Sequence, residues 1–229
     1  MSVSLVTNPF ADVSVSQLQA TFPDVCYEYK QHFVTDLSLP LESIVQGNHR
    51  RNVRKALSAV DVYRSTAVDE LLPHWQVLYD NLIERHEIGG IAKFSPTSLE
   101  RQMRVPGFMA FAALDGDDTC GMTLWYVQGD VAYYHLGAYS DRGYELGVSF
   151  ALFWNALTYF TGAGVRWAAL GAGAGVKASE SGLTRFKQGW ATHTRPAYFC
   201  GRILQYAVYA KLAAATPSAT GFFPGYRGS

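Results

Sequence analysis

Hydrophobic spacing changes character near residue 108, and that change divides the chain into a helical first half and a strand-rich centre. Residues 67–87 carry Leu71, Leu72, Trp75, Leu78, Tyr79, Leu82 and Ile83 at three- and four-residue spacings, which predicts a long amphipathic helix. A short helix follows at 96–103, with Ser95 placed to cap it. Upstream, the pattern predicts a short helix at 16–22, an edge strand at 26–35 and helices at 40–45 and 49–59. Ser38 and Asn48 are the expected caps of those two helices, and 60–65 alternates like a strand.

From residue 108 the period shortens to two. Runs 108–114, 119–128 and 131–139 read as three strands joined by the turn-type segments DGDD and QGD, an antiparallel meander. Residues 145–161 form a strongly apolar helical run, too short to span a bilayer. A strand at 165–170, a Gly-rich loop at 171–175, a short helix at 181–188, a strand at 192–199 and a helix at 202–215 complete the order. The tail from 216 is rich in Pro and Gly and reads as loose. The pattern predicts an α+β (mixed α/β) fold with a central mixed, mostly antiparallel sheet flanked by helices.

Composition adds limits. With 48% hydrophobic and 17% charged residues, the 229-residue chain suits one globular domain. Nineteen basic and nineteen acidic residues leave no net charge, so a broad nucleic-acid footprint is not expected. Cys26, Cys120 and Cys200 make no CxxC pair and no metal-ligand spacing, so free thiols are expected and a metal site is not. The first residues lack the basic and apolar regions of a secretory leader, so a cytoplasmic protein is expected.

Four segments carry candidate chemistry. HRRNVRKAL at 49–57 sets Arg50 with Arg54, and Arg51 with Lys55, at four-residue spacing. With His49 it makes a dense positive patch suited to phosphate or carboxylate groups. YYHLGAYSDRGYELGV at 133–148 places Arg142, Gly143 and Gly147 at a loop-to-helix turn, where orphan N–H groups favour anions. LGAGAG at 170–175 allows close backbone approach, without the acidic residue that a dinucleotide site needs. GLTRFKQGW at 182–190 flanks Phe186 with Arg185 and Lys187, so the ring can anchor inward while the cations reach a cleft.

Together with Asp36–Leu37, these segments resemble the Fem-type branch of the GNAT acyltransferase superfamily, over residues 30–200. Members show an RRxxRKA-like helix, an LGG-like turn and a GLxxFKxGFG-like segment. The resemblance implies a single GNAT-like domain at 36–215, preceded by a packed extension at 1–35 and followed by a tail at 216–229. It implies an N-acyltransferase moving an acyl or aminoacyl group from acyl-CoA or aminoacyl-tRNA to an amine of a small-molecule, cell-wall or polysaccharide precursor.

In the family the Lys of the FK segment lies near the reaction centre, which maps to Lys187. The basic helix, Arg50, Arg51, Arg54 and Lys55, would hold substrate, together with Arg185 and Tyr139. Arg142, Gly143 and Gly147 would receive the pyrophosphate of coenzyme A, a co-substrate and not a resident cofactor. Glu145 stands where the GNAT pattern has Gly, and its carboxylate would repel that pyrophosphate. The neutral charge favours tRNA less than a smaller donor. Candidate bases are His135 and Tyr134, on opposite faces of a regular strand, so at most one faces the cleft. Tyr139 and Glu145 are second-line bases. Typical Fem proteins carry two GNAT-like domains, so a homodimer is one expectation for this shorter chain. The alternative function is an inactive GNAT-fold ligand-binding module.

Overall fold

The computed structural model describes residues 1–90, 93–173, 182–215 and 222–227. Its first elements are β1 (Ser2–Val6), α1 (Val15–Thr21), β2 (Val25–Asp36), α2 (Leu41–Ile44), α3 (Gly47–Leu57) and β3 (Asp61–Ser65). Next come α4 (Val68–Arg85), α5 (Pro96–Met103), β4 (Phe108–Asp115), β5 (Asp118–Gln128) and β6 (Val131–Tyr139). The chain continues through α6 (Asp141–Leu146), α7 (Val148–Gly162), β7 (Trp167–Gly171), α8 (Gly182–Gln188), β8 (His193–Ile203) and α9 (Tyr206–Ala215).

Two compact units share these elements: Phe33–His193, and Met1–His32 with Thr194–Ser229. In the larger unit, strands lie in the order β2-β7-β6-β5-β4-β3, with only the last residues of β2 contributing. Every pairing there is antiparallel except β6 with β7. In the smaller unit, β1 pairs antiparallel with β8, and β8 neighbours β2. From Thr194 onward, β8 and the last helix belong to the same compact unit as the N-terminal residues.

Alternating side chains split the larger unit's core between the two sheet faces. One face packs α3 and α7 through Val53, Ala56, Leu152, Phe153, Ala156, Leu157 and Phe160 against Trp125 and Leu170. The other packs α4 and α5 through Leu71, Trp75, Leu78, Leu99 and Met103 against Ala110, Met122 and Leu124. The mixed, mostly antiparallel sheet flanked by helices is thus present.

Several local expectations change. Strand β1 precedes the first element that the spacing predicts, because its partner β8 is some two hundred residues away. The apolar run at 145–161 is two helices, since Gly147 at φ 66° ends α6 and opens α7. Strand β8 continues to Ile203 and displaces the start of the last helix from 202 to Tyr206. Asn48 lies inside α3, whose N-cap is Gln46, and Ser38 donates its hydroxyl to Asp36 rather than capping α2. Ser95 does cap α5, accepting from the Ser98 N–H.

Candidate active site

The site begins where two parallel strands part. β6 pairs with β7 at Val131, Ala132 and Tyr133, opposite Trp167, Ala168 and Ala169. β6 then runs on to Tyr139 beside β5, while β7 stays with β2 through Gly171. At the parting point β6 carries a bulge: Trp125 stands opposite Tyr134 and Leu124 opposite Leu136, so His135 is the extra residue. The bulge changes the parity of the strand. Tyr134 and Tyr139, which odd spacing would put on opposite faces, both face the α3/α7 layer.

Their hydroxyls meet over Gly137, where a side chain would overlap both oxygens. The two phenols are hydrogen-bonded to each other. Burial pushes both hydroxyls far above the usual tyrosine range, so each stays protonated at neutral pH. They can donate hydrogen bonds but cannot act as bases.

Lys187 joins this pair from α8. Only 6% of the residue is exposed, and its Nζ donates to the Ala172 carbonyl at 2.7 Å, just past the end of β7. The same nitrogen lies 5.5 Å from the centre of the Tyr134 ring. Phe153 supports the arrangement from α7, tilted against Tyr134 at 4.9 Å and edge-on to Phe186 at 4.8 Å. The Lys187 ammonium, the Tyr134 ring, whose hydroxyl is paired with that of Tyr139, and Phe153 are thus in successive contact. Such a set favours an oxygen that acquires negative charge.

Other expected residues lie elsewhere. His135 points to the opposite face, where it bonds Gln102 of α5 at 2.7 Å and meets Tyr126 edge-on at 5.4 Å. Desolvation lowers its pKa. Arg185 is exposed on α8 and does not share the burial of Lys187. Arg50, Arg51, Arg54 and Lys55 are exposed on the side of α3 away from Val53 and Ala56. Arg50 donates to the Glu42 carbonyl and Arg54 to that of Arg50, and among the described residues none of the four forms an ion pair. His49, counted with that patch, is buried, bonds the Phe186 carbonyl, and has its pKa lowered by desolvation. It adds no positive charge to the helix at neutral pH.

At the expected pyrophosphate turn, the Gly143 N–H and the Arg142 guanidinium are taken up by side chains. Ser140 caps α6 by accepting from the Gly143 N–H. Gly143 is required for packing, since a Cβ there would overlap the Cys120 carbonyl. Arg142 is held by Asp115 at 2.8 Å and Glu145 at 3.3 Å, and Gly147 sits at the junction between α6 and α7. Residues 174–175 of the Gly-rich loop and residue 181 lie outside the described residues. All three cysteines are free, and no cluster of His, Cys, Asp or Glu among the described residues would hold a metal. No helix of the described residues is long and apolar enough to cross a membrane.

No family model and no curated protein matches the sequence. Solved structures match the fold. FemX aligns with a TM-score of 0.69 at 14% identity, over 86% of this chain and 69% of FemX. This chain has a GNAT-like fold of the FemX kind. The C-terminal domain of a candidate lysylphosphatidylglycerol synthetase from Agrobacterium fabrum aligns at 0.62 and 14% identity, over 90% of this chain and 68% of that one. L-PGS from Bacillus licheniformis gives 0.62 at 14% identity, over 79% and 62%. The chain spans about two thirds of the length of each. A GNAT-like fold at this identity sets the framework, and the chemistry rests on the side chains it gathers.

Proposed function

We propose that this protein is an acyltransferase, moving an acyl or aminoacyl group from an activated donor to the amine of a small-molecule, cell-wall or polysaccharide precursor. The observation that carries this reading is the buried Lys187 ammonium beside the ring of Tyr134, whose hydroxyl pairs with that of Tyr139, where β6 leaves β7. FemX and the lysylphosphatidylglycerol synthetase domain, which share the fold, support transfer of this kind.

In the proposed reaction the acceptor amine, entering as the free base, attacks the donor carbonyl. The carbonyl oxygen becomes an oxyanion, held by the Lys187 ammonium and the Tyr134 hydroxyl. The C–O or C–S bond to the leaving group then breaks, and the proton shed by the amine passes to the departing alkoxide or thiolate. Neither phenol supplies a base, and His135 faces the other side of the sheet, so the amine must arrive deprotonated. The Ser140 cap on the Gly143 N–H and the Glu145 carboxylate favour an aminoacyl ester over an ordinary coenzyme A thioester.

The test offers radiolabelled acetyl-CoA and an aminoacyl-tRNA in parallel, with lysine and a muropeptide as acceptors. A labelled amide from one donor, lost in Lys187→Ala, is the expected result. The productive donor should also stabilise the folded protein, by about 2.7 kcal/mol at a hundred times its dissociation constant. No product and no stabilisation with either donor would overturn the reading.

A further inference from the structure

The first turn of the basic helix grips the last turn of the helix that bears Lys187. His49 Nε2 lies 2.9 Å from the Phe186 carbonyl oxygen. Since that oxygen only accepts, Nε2 carries the imidazole proton and donates it. Three residues earlier, the Gln46 N–H donates to the Gly189 carbonyl at 3.1 Å. The Phe186 and Gly189 carbonyls flank Lys187 in sequence, and both are held from α3.

The fit around the imidazole is tight on every side. A Cβ at Gly189 would overlap the ring, so only glycine lets the chain pass there. Phe150 and Trp190 meet the ring edge-on at 5.0 and 5.3 Å, and Phe186 lies tilted at 5.6 Å. The residue is 9% exposed, and its Nδ1 has no hydrogen-bond partner among the described residues. Trp190 Nε1, in the same aromatic box, also lacks one. Buried polar atoms are rarely left unpaired, and a ring that served packing alone would be cheaper as phenylalanine.

The geometry points to His49 as a positioning residue of the acyl-transfer site: by gripping the Phe186 carbonyl against the Gly189 gap, it fixes the end of α8 and so the place of the Lys187 ammonium. This rests on the acyltransferase reading of Lys187, but the grip itself can be measured without any turnover. Phe186 links the two sites, lying 5.6 Å from His49 and 4.8 Å from Phe153, which in turn packs on Tyr134. His49 touches no reacting atom in this scheme; it acts through Lys187.

Three variants separate positioning from bulk packing. His49→Phe keeps the ring and loses the donor. His49→Gln restores an N–H near the Nε2 position. Gly189→Ala keeps His49 and displaces its ring. Each is treated with an amine-reactive acetylating ester, and labelling of Lys187 is followed by mass spectrometry, with exposed Lys55 as the internal reference. Lys187 should label about tenfold faster or more in His49→Phe and Gly189→Ala, and near the wild-type rate in His49→Gln. Where the wild type turns over, kcat should fall about tenfold to a hundredfold in the first two and recover in His49→Gln, with KM little changed.

Wild-type protection of Lys187 in a folded His49→Phe protein would overturn the proposal, as would failure of His49→Gln to restore protection. If His49→Phe does not fold, Gly189→Ala decides: unchanged protection there overturns the proposal. If the wild type transfers neither donor, the acyltransferase reading falls, and the labelling still decides the grip.

Discussion

The start of α6 and the end of α8 each set a cation beside a glycine turn, and they treat the charge in opposite ways. Arg142 is more than half exposed and divides its guanidinium between Asp115 and Glu145. Exposed pairs of that kind contribute little to stability and are weakened by salt. Lys187 is buried, with the Ala172 carbonyl at 2.7 Å and the Tyr134 ring beneath it. Burying an ammonium carries a desolvation cost that hydrogen bonds offset only in part. Arg142 is satisfied by exposed neighbours, whereas a buried ammonium against an aromatic ring is suited to a charge that develops during reaction. That contrast is why the proposed chemistry is placed at Lys187.

The sharpest way to break this contrast is to remove each cation. Lys187→Ala should lower kcat by about a hundredfold or more, as loss of one oxyanion donor commonly does, while Arg142→Ala leaves kcat within about threefold. Comparable losses in both would return the coenzyme A turn to the site. The next effect is on stability. Gly143→Ala must push a methyl into the Cys120 carbonyl, and chemical denaturation should show a loss of about 2 kcal/mol, with activity per folded molecule retained. Ser140→Ala should cost about 1 kcal/mol by uncapping α6, again without loss of turnover.

Acidification probes both sides of the sheet at once. Burial holds the imidazoles of His49 and His135 below the ordinary 6.5, so near that pH the unfolded chain takes up protons that the folded chain refuses. Their contribution to stability is complete above 6.5 and is lost as the pH falls through the folded values. Urea midpoints should therefore drop between about pH 7.5 and about pH 5, and the drop should shrink in His49→Phe. An equal drop in that variant would assign the whole effect to other groups.

The sequence carried much of the larger unit. The stripe from Leu71 to Ile83, the turns at 115–118 and 128–130, and the Ser95 cap are local signals, and each appears where the spacing put it. The FK segment pointed to Lys187, and its inward Phe186 is part of the core. The smaller unit was harder to read. SVSLV becomes a strand only because β8 lies beside it, and nothing within five residues announces a partner so distant in the chain. His49 was misread for a related reason. Between asparagine and two arginines it reads as one more cation, and only the Gly189 gap turns it into a buried neutral donor.

Periodicity and turn residues by themselves determined the order of most elements and the antiparallel meander, while Lys187 became a candidate through the family resemblance. These are short-range properties: side-chain spacing and backbone preference act within a few residues. Tertiary structure alone decided that the bulge at His135 turns Tyr134 and Tyr139 to one face and His135 to the other, since a bulge is set by the register between strands. It also decided that Ser140, Asp115 and Glu145 occupy the turn expected to take an anion, and that α3 holds the end of α8. Those outcomes depend on groups brought together from distant parts of the chain, whose burial and pairing fix their charge and their hydrogen bonds.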